Sequence, residues 1–139
     1  MKIEINNQAG YKIDLRPVRK IISAFGRTYK INKNKEISLA FVSDAAIKKL
    51  NLAYRGVNQA TDVLAFAPLN ADEGDELGEI IIDYNQIKRQ AGDFKNSAEK
   101  ELIFILVHGL YHLIGYDHKT DKQRLKMIKL GEEFIKNNL

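Results

Sequence analysis

The stretch from Leu102 to His118 constrains the fold of this chain more than any other. Leu102-Ile-Phe-Ile-Leu-Val107 is apolar on every side of a helix, so this helix has to be sandwiched between layers rather than lie on a surface. It runs straight into His108-Gly-Leu-Tyr-His112-Leu-Ile-Gly115-Tyr-Asp117-His118, which holds all three histidines of the 139-residue chain. On a helix, His108 and His112 are one turn apart on one face, so both imidazoles can point at one ion. Gly115 allows the positive φ that ends a helix, and the chain can then turn back to deliver His118 as a third ligand. Three neutral imidazoles with an open fourth position make a catalytic type of zinc site, one ion per chain. A structural zinc would need a fourth ligand; with no Cys in the chain, only carboxylates such as Asp117 or Asp121 can supply it. The bland alternative is a trio of helix and loop histidines with no metal.

The H-x3-H-x2-G-x2-H spacing is also that of the metzincin proteases, with one difference. Those enzymes carry Glu directly after the first His as the general base, and here that position is Gly109. Peptidase chemistry therefore lacks its base. Met127 invites comparison with the metzincin Met-turn, but on a helix it reads as core.

One domain is expected, long enough to bury a core without staples. Apolar residues make up 45% and charged residues 29%, an ordinary globular balance. The absence of Cys fits a reducing compartment. The N-terminus has no apolar signal region, and no run approaches the roughly 18 apolar residues of a membrane span. A soluble, cytoplasmic protein with no membrane partner is expected. The net charge of +4 is mild; it permits an anionic partner such as RNA and disfavours an acidic function.

Alternating residues 2–5 and 36–42 predict two strands, and 61–66 and 77–83 two more, the last near the middle of a sheet. Asp14 is expected to cap a first helix with Pro17 in its first turn and Leu15, Val18, Ile22 and Phe25 inward. Ser43 should cap a second helix through about Arg55, with Ile47, Leu50 and Tyr54 on one apolar face. The acidic run Asp72–Glu76 reads as a hairpin loop. A short helix is expected over 84–91, and Asn96-Ser97-Ala98-Glu99 offers a capping box to the apolar helix. Thr120 or Asp121 should cap a last helix carrying Leu125, Ile128 and Phe134 inward and Lys122, Arg124, Lys126 and Lys129 outward. Four strands interleaved with four or five helices predict an α/β or α+β layered domain.

These residues resemble a known family. The run His108–His118 is similar to the HGxLHLxGYDH signature of the YbeY family, bacterial endoribonucleases of rRNA maturation. Leu52-Ala-Tyr-Arg55, Thr61-Asp-Val-Leu-Ala-Phe66 and Leu77-Gly-Glu-Ile-Ile-Ile82 resemble further blocks of the same family in the same order. Three positions depart from the pattern: Tyr111 stands where Leu is usual, Ala65 where Ser is usual, and Glu79 where Asp is usual. Tyr111 is expected to change packing alone, whereas Ala65 loses a hydroxyl available to substrate.

The resemblance implies a four-stranded mixed sheet with a central buried helix, a three-His zinc site, and cleavage of single-stranded RNA. It implies action in small-subunit rRNA 3′-end processing and ribosome quality control. It also implies partners in the small ribosomal subunit, its proteins and a ribosome-associated GTPase, with no DNA partner expected. Arg55 matches the family's arginine and is the candidate catalytic cation; the competing reading is a charge favoured at a helix C-terminus. Asp117 is a candidate to orient a ligand imidazole or to cap the following turn, and Glu79 a candidate distant base. Tyr54 and Tyr116 can in principle stack on bases, although Tyr54 lies on an apolar stripe and is expected to pack. Two other functions remain open at this point: a metal-dependent peptidase, and a ribosome-assembly module in which zinc only staples the fold.

Overall fold

The computed structural model describes residues 1–70 and 74–139. The elements run β1 (Lys2–Asn7), α1 (Arg16–Thr28), β2 (Glu36–Val42), α2 (Asp44–Arg55), β3 (Val63–Phe66), β4 (Glu76–Asp83), α3 (Tyr84–Asp93), α4 (Ala98–Leu113) and α5 (Asp121–Asn138). The strands form one mixed sheet in the order β1-β2-β4-β3, with β1, β2 and β4 parallel and β3 antiparallel to β4. The interior position expected for β4 follows from its run Ile80-Ile81-Ile82, which is buried on both faces. Ile37, Leu39, Ile80 and Ile82 point to the main core, whereas Val42, Leu64 and Ile81 meet Ile47 of α2 on the opposite face.

Helix α4 lies between the sheet and helices α1, α3 and α5, touching β3 and β4 on one side, whereas α2 covers the opposite face of the sheet. Two glycines set how closely it approaches β4. A Cβ at Gly109 of α4 would sit 3.3 Å from the Ile80 side chain, and one at Gly78 of β4 would sit 2.6 Å from both Leu113 and the Phe66 carbonyl oxygen. Gly78 also adopts φ +149°, which side-chain-bearing residues rarely reach. The aromatic departure at position 111 is absorbed on the far side of α4. Tyr111 is buried, shares a 2.6 Å hydrogen bond with the Tyr29 hydroxyl, and meets Phe25 edge-on.

Several local expectations are corrected. Asp14 does not cap α1: the cap position falls on Leu15, and Asp14 instead accepts from the Arg16 amide at 3.1 Å and binds its guanidinium. Ser97 caps α4 alone, accepting from the Lys100 amide at 3.1 Å. No reciprocal box forms, because the third helical residue is Lys100 and Glu99 comes one position early. The reciprocal box occurs instead at α5, between Thr120 and Gln123. Leu125 is 60% exposed; α5 buries Met127, Gly131 and Phe134. Tyr54 is 67% exposed, its ring resting on Phe66 at 5.1 Å instead of entering the core. The hairpin loop expected over Asp72–Glu76 lies partly outside the described residues, and Glu76 already belongs to β4. No described helix is long and apolar enough to cross a membrane.

Asp83, at the end of β4, caps α3 through bonds from the Asn85 and Gln86 amides. It is fully buried, and its second carboxylate oxygen meets no donor among the described residues. Burial, reinforced by the neighbouring Asp44 carboxylate, pushes its carboxyl up to about 6. The Arg89 guanidinium, bonded to Asp44 through two nitrogens, holds that carboxyl down at about 2. Between the ordinary carboxyl value of 3.8 and about 6, the folded state thus binds the Asp83 proton more tightly than the unfolded state does. The stability this acid contributes is present at low pH and is lost as pH rises through that window. Asp83→Asn, which keeps the cap and carries no charge, is expected to raise the melting temperature at pH 8 relative to wild type and to lose that advantage at pH 4. Gly78→Ala is expected to cost about 2–4 kcal/mol in urea unfolding, from forbidden φ plus overpacking.

Candidate metal centre

The last turns of α4 carry His108 and His112, and the chain beyond it carries His118. Helical spacing puts the first two rings 4.9 Å apart, centre to centre. Gly115, at φ +104°, reverses the chain after α4, and the Tyr116 amide bonds back to the Tyr111 carbonyl at 3.0 Å. His118 then closes to 4.4 Å from His112 and 5.4 Å from His108. One nitrogen from each ring lies within 4.8 Å of the other two, a spacing compatible with one ion between them. No carboxylate joins this group among the described residues, so neither Asp117 nor Asp121 supplies the fourth ligand that a closed structural site needs.

The surroundings keep His108 and His112 in their ligating form. Burial, then the repulsion of His112 and His118, lowers His108 to about 4, with Asp62 opposing weakly. His112 is lowered by burial and by His118, while a hydrogen bond with the Tyr116 backbone and the Asp117 charge act the other way. Neutral imidazole is the form that binds a metal, so at neutral pH few protons compete with the ion. A backbone bond on one ring nitrogen also fixes the tautomer and orients the other nitrogen. The donor set of three imidazoles, two half-buried on the helix and His118 exposed on the loop, fits a zinc-like borderline cation.

The open side is a cleft of about 660 Å³ running between β3, α4, α5 and the end of α2. Arg55 lines it together with the three histidines. The Arg55 guanidinium has no carboxylate partner among the described residues, unlike Arg16, Arg89 and Arg124. Its backbone is fixed: Gly56 closes α2 in the left-handed region, and the buried Asn51 amide donates to the Gln59 carbonyl at 2.9 Å, pinning the following loop. Asp117 also lines the cleft, but it accepts from the His118 amide at 2.7 Å and pairs with Lys119. It orders the loop that delivers the third histidine. Ala65 lines the cleft wall.

Glu79 is not brought to the site. It lies on the opposite face of the sheet, beside Ala40 and Ile81, because the period-2 alternation of β4 sends residues 78, 80 and 82 toward α4 and residues 79 and 81 away. Tyr116 is half-buried and packs edge-on against Tyr111 at the margin of the core, and it is not among the residues lining the cleft. Asp62, not singled out from sequence, lines the cleft. Gln90 donates to its Oδ2 at 3.3 Å and Thr61 to its Oδ1 at 3.4 Å. A carboxylate just before a strand reads as a turn residue, so periodicity carried no signal for it.

A family model described as Endoribonuclease YbeY matches residues 4–138. The chain belongs to the YbeY family. It is 42% identical over 134 residues to the endoribonuclease YbeY of Moorella thermoacetica, covering 86% of each protein. It is 34% identical over 146 residues to that of Syntrophomonas wolfei, covering 97% of this chain and 94% of the relative. The solution structure of TM1509 from Thermotoga maritima superposes with a TM-score of 0.64 at 29% identity, covering 96% of this chain and 86% of that one. The YbeY membership thus spans both halves of the cleft, α2 and β3 as well as α4 and its histidine loop.

The depressed His108 value gives a pH signature with the opposite sign to that of Asp83. Between 6.5 and about 4 the unfolded chain binds a proton that the folded metal-free chain does not. The metal-free protein is expected to lose stability as pH falls through that window, and His108→Asn to flatten the loss in thermal melts at pH 7.5, 6 and 4.5. With zinc added, the wild-type melting temperature should rise at pH 7.5 and that of the variant should not.

Proposed function

We propose that this chain is a zinc-dependent endoribonuclease that cleaves single-stranded RNA during small-subunit rRNA 3′-end maturation and ribosome quality control. The observation that carries the reading is one cleft holding three imidazoles with a nitrogen of each within 4.8 Å of the others, and an arginine with no carboxylate partner among the described residues. His108, His112 and His118 would hold the ion. Bound zinc would supply Lewis acidity toward a phosphoryl oxygen and lower the pKa of water.

The chain's own groups do the rest. Arg55 faces the cleft from the end of α2 and offsets the charge that builds on the phosphoryl oxygens as the phosphodiester is attacked. Its planar fork suits a phosphate better than a lysine would. Asp117 keeps His118 in position through the loop amide. Asp62 is the cleft carboxylate with oxygen lone pairs to spare, and its place opposite the histidines suits it to orient the attacking water or accept its proton. The apolar walls from Ile105, Leu113 and Ile128 limit water around these charges. A cytoplasmic site of action and partners among small-subunit proteins and a ribosome-associated GTPase accompany this reading.

The peptidase alternative is disfavoured by Gly109, which carries no carboxylate and faces Ile80 rather than the cleft. The zinc-staple alternative is disfavoured by the missing fourth ligand. Elemental analysis of purified protein is expected to give about one zinc per chain. His112→Ala should lose both zinc and cleavage of single-stranded RNA. Arg55→Ala should keep zinc while the cleavage rate falls about 10²–10³-fold. Metal-free wild type with undiminished nuclease activity, or zinc-dependent casein turnover without RNA cleavage, would remove the reading.

A further inference from the structure

The apolar stripe of α2 ends in a residue that the core does not use. Ile47 is fully buried, but Tyr54, two turns on, is 67% exposed. Its ring is backed by Phe66 at 5.1 Å with a 59° tilt, and its hydroxyl has no hydrogen-bond partner among the described residues. One side of the ring therefore rests on the protein and the rest stands free. A large aromatic surface left in water next to a charged cleft is a feature to be explained, since it forgoes burial that the same helix takes up at Ile47.

Its position supplies the explanation. Tyr54 lines the cleft that contains the histidines, and it is the residue next to Arg55. Of the tyrosine and phenylalanine side chains on that cleft, Phe66 and Phe104 are half-buried, and Tyr54 alone is exposed. The neighbouring exposed apolar residues, Leu52 and Val57, are not part of the cleft wall; Tyr54 stands where the histidine cleft meets a groove on the other face of the sheet lined by Leu50, Phe66 and Ile81, so its ring borders the histidine site directly. The same contacts that fix Arg55, the Gly56 cap and the Asn51 bond to Gln59, also hold the end of α2 that carries Tyr54.

We propose that Tyr54 is a stacking platform for one unpaired base of the substrate RNA, next to the phosphate held by Arg55. The inference rests on the endoribonuclease reading and adds the source of its preference for single strands. A base in a duplex already has both faces covered by its neighbours, whereas a base in a single strand can turn one face to a tyrosine. Stacking of this kind is tolerant of base identity, because every base presents a π-face. The platform therefore selects unpaired structure rather than sequence.

The test uses the full-length zinc-loaded protein and a fluorescent single-stranded RNA oligonucleotide carrying one abasic nucleotide at each position in turn. For wild type, one abasic position beside the cleaved bond is expected to raise KM about 10-fold, near the value for losing one base–aromatic stack. Tyr54→Ala should raise KM for the intact RNA by a similar factor, with kcat little changed, and should be insensitive to the abasic nucleotide at that position. Tyr54→Phe and Tyr54→Trp should retain tight binding, and Phe94→Ala, an exposed aromatic away from the cleft, should behave as wild type. Fluorescence anisotropy of the metal-free proteins with the same RNAs should show the same order of affinities, independent of turnover. Equal KM for wild type and Tyr54→Ala, or a loss in Tyr54→Ala that adds fully to the abasic loss at every position, overturns the platform while leaving the nuclease intact. Wild type that neither binds nor cleaves RNA at any zinc loading removes the endoribonuclease reading itself, and the platform with it.

Discussion

The contact between β4 and α4 governs the rest of the molecule. Two glycines, one on each element, let the helix sit so near the strand that Leu113 passes over Gly78 and Ile80 fills the space beside Gly109. Packing of that density cannot be adjusted by small shifts, since interiors respond to single methylene changes. The helix is therefore held at a fixed depth, and the two histidines near its end inherit that fixity. Ligands carried on a rigid buried element keep their geometry without help from the ion.

The same contact separates this site from one built for peptide hydrolysis. In the metzincin arrangement a carboxylate follows the first histidine; here the equivalent position looks into the sheet and touches isoleucine. A charge placed there would be buried without a partner, at a cost that no nearby group offsets. The polar groups of the cleft come from elsewhere: Arg55 from the end of α2, and Asp62 from the start of β3. The site thus lies where the two layers on either side of the sheet meet, around its β3 edge.

Sequence reasoning recovered the features whose physics is local. The helical spacing of His108 and His112, the glycine that turns the chain at 115, the Ser43 cap and the interior placement of β4 were all legible because each depends on neighbours within a few residues. The strand order was not, since alternation says which face a residue takes and nothing about which strand lies alongside. Tyr54 was read as packed because its spacing matches Ile47 and Leu50, whereas in the fold its ring rests on Phe66 and is otherwise largely exposed. Glu79 was drawn toward the site by its charge, whereas the register of β4 sends it to the other face. Asp62 was passed over because its place on the cleft depends on a helix whose first histidine lies 46 positions away in the chain.

The loop that delivers His118 is short and held at both ends. Gly115 fixes its start, and the reciprocal Thr120–Gln123 bonds fix the first turn of α5 at its finish. Between them lie residues 116–119, of which Tyr116 is already docked against the core. Little chain freedom remains to be surrendered when an ion arrives, so its binding energy is not consumed in ordering a loop. The ion would also act as a clasp: by joining α4 to the segment that leads into α5, it ties the mooring of the C-terminal helix to the occupancy of the site.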